Sequence, residues 1–552
     1  MNELARLLDR LAFEPSRNAK LRLMQDYFTR RPDPERGWAL AALTGQLVFD
    51  HAKPGMIRAL IEERMDPVLF RLSYDYVGDL SETVALAWPR RAPQKGEDSG
   101  PDGFAPTLGE VVERLRAAGR RDVPSLVAGW LDALDETGRW ALLKLITGAL
   151  RVGVSARLAK TALAQMAGRD PDEIEEVWHG LSPPYATLFA WIEGAGERPS
   201  GVDPAPFRAP MLAHPVQAGD LDGADPADFA AEWKWDGIRV QAARGVDETG
   251  RVVSRLFSRT GDDIGAAFPD LLEALDASPV RSFALDGELL IVREGRVESF
   301  ATLQQRLNRK TVSAKLMREH PAHLRAYDLL FETGADLRAL PFSERRARLE
   351  ALAARLAHPM IDVSPLVPLR SWDEADRLRT APDHPHDAEA IEGVMLKRWD
   401  SLYLPGRPKG PWWKWKREPR RIDAVLMYAQ RGHGKRSSFY SDYTFGVWRD
   451  GAEGPEIAPV GKAYSGFTDE ELKRLDKYVR DNTVDRFGPV RVVGHGATRG
   501  LVLEVAFEGL QRSTRHKSGL AMRFPRIARI RWDKPAAEAD RLETLEAMLG
   551  EG

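Results

Sequence analysis

Residues 229–243 read FAAEWKWDGIRVQAA, a strand-like run carrying Lys234 that is broken at once by a glycine turn, Lys234-Trp235-Asp236-Gly237-Ile238-Arg239. A lone Lys-x-Asp-Gly combines four common residue types, so its surroundings decide what it means. Nearby, the alternating runs SRLFSR and SFALDGELLIV mix with helical stretches such as PDLLEALDA, and this middle part of the chain is predicted to be α+β. Upstream, from Glu3 to about Gly196, apolar residues recur at helical spacing, as in LARLLDRLAF and WALLKLITGALRVGVSARLAKTALAQM, which predicts an all-α region. Within it, Pro89 to Pro106 is rich in Pro, Gly and charge and reads as an exposed linker. Downstream of REPRRIDAVLMYAQ, short strands around glycine-rich turns predict a small β-barrel.

The 552 residues suffice for more than one core. No apolar run approaches the roughly 18 residues of a membrane helix, and charges interrupt the N-terminal MNELARLLDRLAFEP, so no membrane partner and a cytoplasmic (cytosol or nucleoid) location are expected. Cysteine is absent, so a metal would need oxygen or imidazole ligands, and a hard cation such as Mg2+ fits best. Taken alone, the net charge of −2 argues against a nucleic-acid partner. However, residues 396–421 hold nine Lys or Arg against two acids and residues 511–534 hold eight against one, so positive charge gathers in two late segments.

Further blocks follow Lys234 in order: Ser258-Arg259-Thr260-Gly261, Leu285-Asp286-Gly287-Glu288, Ala326-Tyr327-Asp328-Leu329, Glu392 to Lys397, Trp413-Lys414-Trp415-Lys416, and Arg523-Phe524-Pro525-Arg526 through Asp533-Lys534. This ordered set resembles the covalent nucleotidyltransferases. Within them, it is similar to bacterial ATP-dependent DNA ligases with an N-terminal helical DNA-binding domain, most of all the type associated with cisplatin-damage response. The resemblance covers nearly the whole chain, including LITGALRVGVS. It implies a multidomain protein: helical DNA-binding domain 1–200, α+β nucleotidyltransferase (ATP-grasp-like ligase) core 205–418, and C-terminal OB-fold β-barrel 419–552. It also implies a monomer that acts on nicked double-stranded DNA with ATP and Mg2+, Mn2+ being an alternative, in DNA repair beside helicase and nuclease partners.

The residues themselves fit such chemistry. A lysine nucleophile must lose its proton, and burial together with Arg239, Arg259, Lys414 and Lys416 is expected to favour the neutral amine and to hold a phosphate. Asp286, Glu288 and Glu392 are candidate metal or ribose carboxylates; the resemblance makes Glu288 and Glu392 metal residues. Tyr327 offers a face for adenine. By family position Glu232 accepts from the adenine amino group and Met395 covers the other base face, although either serves equally as plain structure. On a strand, Lys414 and Lys416 point one way and Trp413 and Trp415 the other. Arg523, Arg526, Arg529, Arg531, Asp533 and Lys534 resemble the segment that orients the pyrophosphate, with a phosphate-backbone patch as the alternative. Arg151 and Arg157 are candidate DNA contacts, solvated helix arginines being the commoner case. A capping guanylyltransferase leaves the helical region unexplained, an NAD-dependent ligase would carry a cysteine zinc module, and an RNA ligase or an inactive DNA-binding scaffold stays open to a substrate test.

Overall fold

The computed structural model describes residues 1–550 apart from 78, 90–104, 149, 179, 200–202, 308, 310, 433–438, 452, 453 and 514–516; most of the expected Pro89–Pro106 linker lies outside the described residues. The chain divides into two compact units, one of Met1–Pro171, Ser182–Arg198 and Pro419–Gly552, the other of Asp172–Leu181 and Pro199–Glu418.

In the first unit, the described residues up to Arg198 form helices and no strand. Their ends are closed by short polar side chains: Ser16, Asp79, Asp135 and Ser155 each accept a backbone N–H of the turn they precede, and Thr107 and Glu110 form a reciprocal capping box. Lys20 is buried and donates to the carbonyls of Val152 (2.6 Å) and Gly153 (3.0 Å), which fixes the turn after LITGALRVG. In the same unit, residues 419–550 supply a seven-stranded antiparallel sheet. Arg420–Arg431 lies at its centre, paired with Tyr440–Gly451, Val490–Val493 and Val502–Phe507, and the last of these carries Arg526–Arg531. Alternate residues such as Ile422, Ala424 and Leu426 enter a core closed by the helix Asp469–Asn482.

The second unit holds two sheets. We label β1 Phe229–Trp235, β2 Ile238–Val246, β3 Val252–Ser258, β4 Phe283–Arg293, β5 Ala322–Glu332, β6 Ile391–Arg398 and β7 Trp412–Lys416. One sheet runs β7-β6-β1 between two-residue edge strands, and the other runs β3-β2-β4-β5. The first sheet turns Phe229, Ala231, Trp233, Trp235, Val394, Leu396, Trp413 and Trp415 outward into one apolar cluster. The second covers Val240, Ala242, Leu285, Leu289 and Leu324 with the helices Pro269–Asp276 and Phe342–Leu356. A smaller cluster joins their other faces through Ala243, Phe257, Ala284, Leu330, Tyr403 and Trp412.

Candidate active site

The inner face of the first sheet is built in rows. Glu232, Met395 and Lys414 stand opposite one another across β1, β6 and β7, and in the next row stand Lys234, Gly393 and Lys416. Residues two apart on a strand share a face, so one strip collects the lysines and the glutamate while the tryptophans between them pack behind it.

Strict alternation would send Glu392 outward with Val394. Instead the register slips between Ile391 and Gly393, making Glu392 the extra residue of a bulge, a device that re-aims a side chain. Its Oε2 accepts from Lys234 Nζ at 2.6 Å and lies 3.2 Å from Lys416 Nζ. Gly393 permits this: its φ is +146°, and a Cβ there would overlap the Trp415 carbonyl oxygen.

The second sheet places Arg239 opposite Glu288, with Asp286 on the same face. Arg239 donates from Nε (3.0 Å) and Nη2 (2.6 Å) to the two oxygens of Asp286, and Tyr403 donates its hydroxyl to Asp286 Oδ2 at 2.7 Å. Along β4 and β5 the register slips twice, between Ala284 and Leu285 and between Asp286 and Gly287, and the second slip leaves Tyr327 unpaired on β5, as the first leaves Leu330. The glycine of the Lys-x-Asp-Gly turn also has a steric reason: a Cβ on Gly237 would stand 2.6 Å from the Leu289 carbonyl oxygen and 2.7 Å from Glu288 Cγ.

The electrostatics depart from the sequence reading at Lys234. Burial disfavours its charge, but Glu392, Glu288 and Asp236 outweigh it and hold the amine above its ordinary value. The expected lowering by crowded cations falls instead on Lys414, through burial first and then Lys234, Lys416, Arg407 and Arg259. Burial raises Glu392 as well, yet Lys234 and Lys416 bring its carboxyl down to about 2. For Glu288 burial wins over Lys234 and Arg239 and pushes the carboxyl up to about 8.

Arg259 is exposed, in the turn after β3 where Ser258, Thr260 and Asp262 bond one another. Tyr327 has Lys397 Nζ at 4.6 Å from its ring centroid. Glu232 is buried, with Lys397 Nζ at 2.5 Å from Oε2 and Arg346 Nη1 at 2.9 Å from Oε1. The terminal block belongs to the other compact unit. There Arg523 ends one strand, Phe524 is exposed with φ +50°, Arg526 faces Glu508 at 3.9 Å, and Arg529 lies on the strand Arg526–Arg531. Arg531 meets Asp533 (3.0 Å) and Asp423 (3.2 Å), and Lys534 meets Asp423 at 2.7 Å. Arg151 occupies a left-handed turn residue, φ +48°, and Arg157 opens the helix Ala156–Met166. Among the described residues no three His, Asp or Glu side chains are grouped to hold a metal, and no helix is long and apolar enough to cross a membrane.

The model of the ATP dependent DNA ligase domain matches residues 210–416, and that of the ATP dependent DNA ligase C terminal region matches residues 436–534. A probable DNA ligase of Koribacter versatilis (strain Ellin345) is 32% identical, over 99% of this chain and 96% of that protein. DNA ligase 1 of Korarchaeum cryptofilum (strain OPF8) is 30% identical, over 98% and 97%. This chain belongs to the ATP-dependent DNA ligase family. A solved structure named Pmar-Lig_PreS3 shares the fold, with a TM-score of 0.55 at 15% identity over 96% of the ligase and 99% of that chain.

Four side chains of the ligase's site carry no role in the sequence reading. Tyr403 completes the Asp286 pair, Arg345 is fully buried in a two-bond pair with Asp328, and Arg346 and Lys397 hold Glu232. Lys397 closes the block Glu392 to Lys397 but has no role assigned there, and for the arginines the signal was Glu344-Arg345-Arg346 opening an amphipathic helix, where paired arginines ordinarily read as solvated surface.

Proposed function

We propose that this ligase seals nicks bearing a 5′-phosphate and a 3′-hydroxyl in duplex DNA through a covalent adenylate on Lys234. The observation that carries the reading is Lys234 Nζ held by Glu392 on the same sheet face as Lys414 and Lys416. Lys234 gives up a proton and attacks the α-phosphorus of ATP; the N–P bond forms as the bond to pyrophosphate breaks. AMP then passes to the 5′-phosphate, and attack by the 3′-hydroxyl closes the backbone and releases AMP. Lys414 and Lys416 supply positive charge where the phosphate oxygens gain negative charge. Tyr327 and Met395 offer faces for the base, and Glu232 an acceptor for its amino group.

Glu288 and Glu392 are oxygen donors on the two facing sheets, a set that suits a hard divalent cation, Mg2+ or Mn2+. When bound, the ion would neutralise charge on the phosphate oxygens. We assign Asp286 differently: its oxygens are engaged by Arg239 and Tyr403, so it fixes Arg239. Residues 1–200 are read as a DNA-binding domain, 205–418 as the adenylation domain and 419–552 as an OB-fold domain carrying the pyrophosphate-orienting block. Binding to DNA phosphates would make association fall steeply with salt, independently of sequence. A role in DNA repair follows from the resemblance alone.

Incubation with α-phosphate-labelled ATP, followed by a chase with nicked duplex, tests the reading. Label should appear on the wild-type chain, be absent from Lys234→Ala, and leave the protein as the nick closes. Equal labelling of the two proteins would overturn it.

A further inference from the structure

Glu232 lies in the strip beside Lys234 but faces two cations from elements that hold no nucleophile. Lys397 Nζ reaches Oε2 at 2.5 Å from β6, and Arg346 Nη1 reaches Oε1 at 2.9 Å from the helix Phe342–Leu356. All three side chains are buried, with exposures of 2%, 1% and 6%. Each partner is itself fixed. Arg346 donates from Nε to Glu350 at 2.7 Å, and Lys397 donates to the Tyr327 carbonyl at 3.2 Å while its ammonium sits within 4.8 Å of the Tyr327, Phe342 and Trp412 ring centroids.

We propose that Arg346 and Lys397 are positioning residues for nucleotide selection: with one cation on each oxygen they clamp the Glu232 carboxylate in one orientation, so that it meets a purine as an acceptor. This deepens the reading above and rests on it. A carboxylate has about four lone-pair directions, and one bond to each oxygen leaves acceptor capacity over. An acceptor-only group favours a purine whose 6-position is an amine, which donates, and disfavours one whose 6-position is a carbonyl, which opposes it with another acceptor. Burial holds the Glu232 carboxyl above its ordinary value although Lys397 and Arg346 oppose it; without the clamp it is freer still to take up a proton or turn, and a protonated carboxyl can donate to that carbonyl. The hydrogen bonds of Arg346 go to Glu232 and Glu350, so its removal should act on base recognition rather than on phosphate chemistry.

The test measures covalent labelling of the full-length chain by ATP and by inosine triphosphate, for the wild type, Arg346→Met, Lys397→Met and Arg346→Lys. The wild type should prefer ATP. Arg346→Met and Lys397→Met should raise KM for ATP by about tenfold with kcat within about threefold, and narrow the ATP-over-inosine preference by about tenfold or more. Arg346→Lys, which keeps the charge, should recover most of the preference. A wild type that takes no label from ATP would fell the functional reading itself. A labelled wild type whose two methionine variants keep its nucleotide preference, or lose kcat equally with both nucleotides while remaining folded by circular dichroism, would overturn the clamp alone.

Discussion

Lys234 and Glu392 come from adjacent antiparallel strands, and their 2.6 Å contact exists because Glu392 is the one residue of β6 that the β1 ladder leaves unpaired. The bulge turns an outward position inward, and Gly393 is what lets the backbone make it. Gly393→Ala therefore puts a Cβ into the Trp415 carbonyl at a left-handed backbone position. We expect a loss of about 3 kcal/mol in a denaturant melt and loss of lysyl-AMP formation. Normal labelling of a Gly393→Ala protein would show that the bulge does not position Glu392.

The two faces of β7 should separate chemistry from stability. Lys414 faces the site, its pKa lowered by burial and by its cationic neighbours, whereas Trp413 packs edge-on against Phe229 with ring centroids 5.5 Å apart. Lys414→Ala should slow enzyme adenylylation about a hundredfold with little change in melting temperature. Trp413→Ala should cost about 2 kcal/mol of stability, and the fraction that stays folded should label normally. Single-turnover labelling beside thermal melts decides it, and the reverse pattern would place the lysines on the wrong face.

That alternation was legible in Trp413-Lys414-Trp415-Lys416, because a period of two is a local property of the sequence. The helical run before residue 198 and the order of the blocks were legible for the same reason. The bulges at Glu392 and Tyr327 were not, since a one-residue register slip depends on the partner strand and leaves no trace in composition. Nor was the charge state of Lys234, which depends on how many carboxylates the fold delivers to it: the cations were counted from the motif blocks, but Glu392 arrives through the bulge and Glu288 through Gly237. Arg345 and Arg346 stayed hidden because only the packed helix shows that both are buried and paired.

Asp79 gives the helical region an acid-sensitive joint. It caps the helix Leu80–Ala87 through the Glu82 N–H and meets buried Lys144 at 2.6 Å. Burial raises its carboxyl, but Lys144 and the backbone N–H groups of Glu82 and Ser81 together bring it below the ordinary value. A depressed folded pKa stabilises the fold above the unfolded carboxyl value of about 4, and that contribution disappears as pH falls through the lower folded value. Asp79→Ala, losing cap and ion pair together, should cost about 3 kcal/mol at pH 7. Melts of wild type and Asp79→Asn should differ at pH 7 and converge below about pH 4; a constant difference down to pH 3 would show that Asp79 contributes no charge-dependent stability.

The carboxylates beside Lys234 should separate under metal titration. Glu288 stands across the site from Glu392 with its carboxyl pushed up to about 8 by burial, a state that a bound cation would reverse, whereas both oxygens of Asp286 already accept hydrogen bonds from Arg239 and Tyr403. Glu288→Gln should therefore raise the Mg2+ concentration for half-maximal labelling by about tenfold or more. Asp286→Asn should leave that concentration unchanged, yet lower labelling at saturating metal and destabilise the chain by about 3 kcal/mol, because it strands the half-buried Arg239 guanidinium. Repeating the titration with Mn2+ checks that the shift follows the carboxylate rather than one ion. If Asp286→Asn moved the metal midpoint and Glu288→Gln did not, the metal would belong to the Arg239 side of the site and the assignment made here to Glu288 and Glu392 would fail.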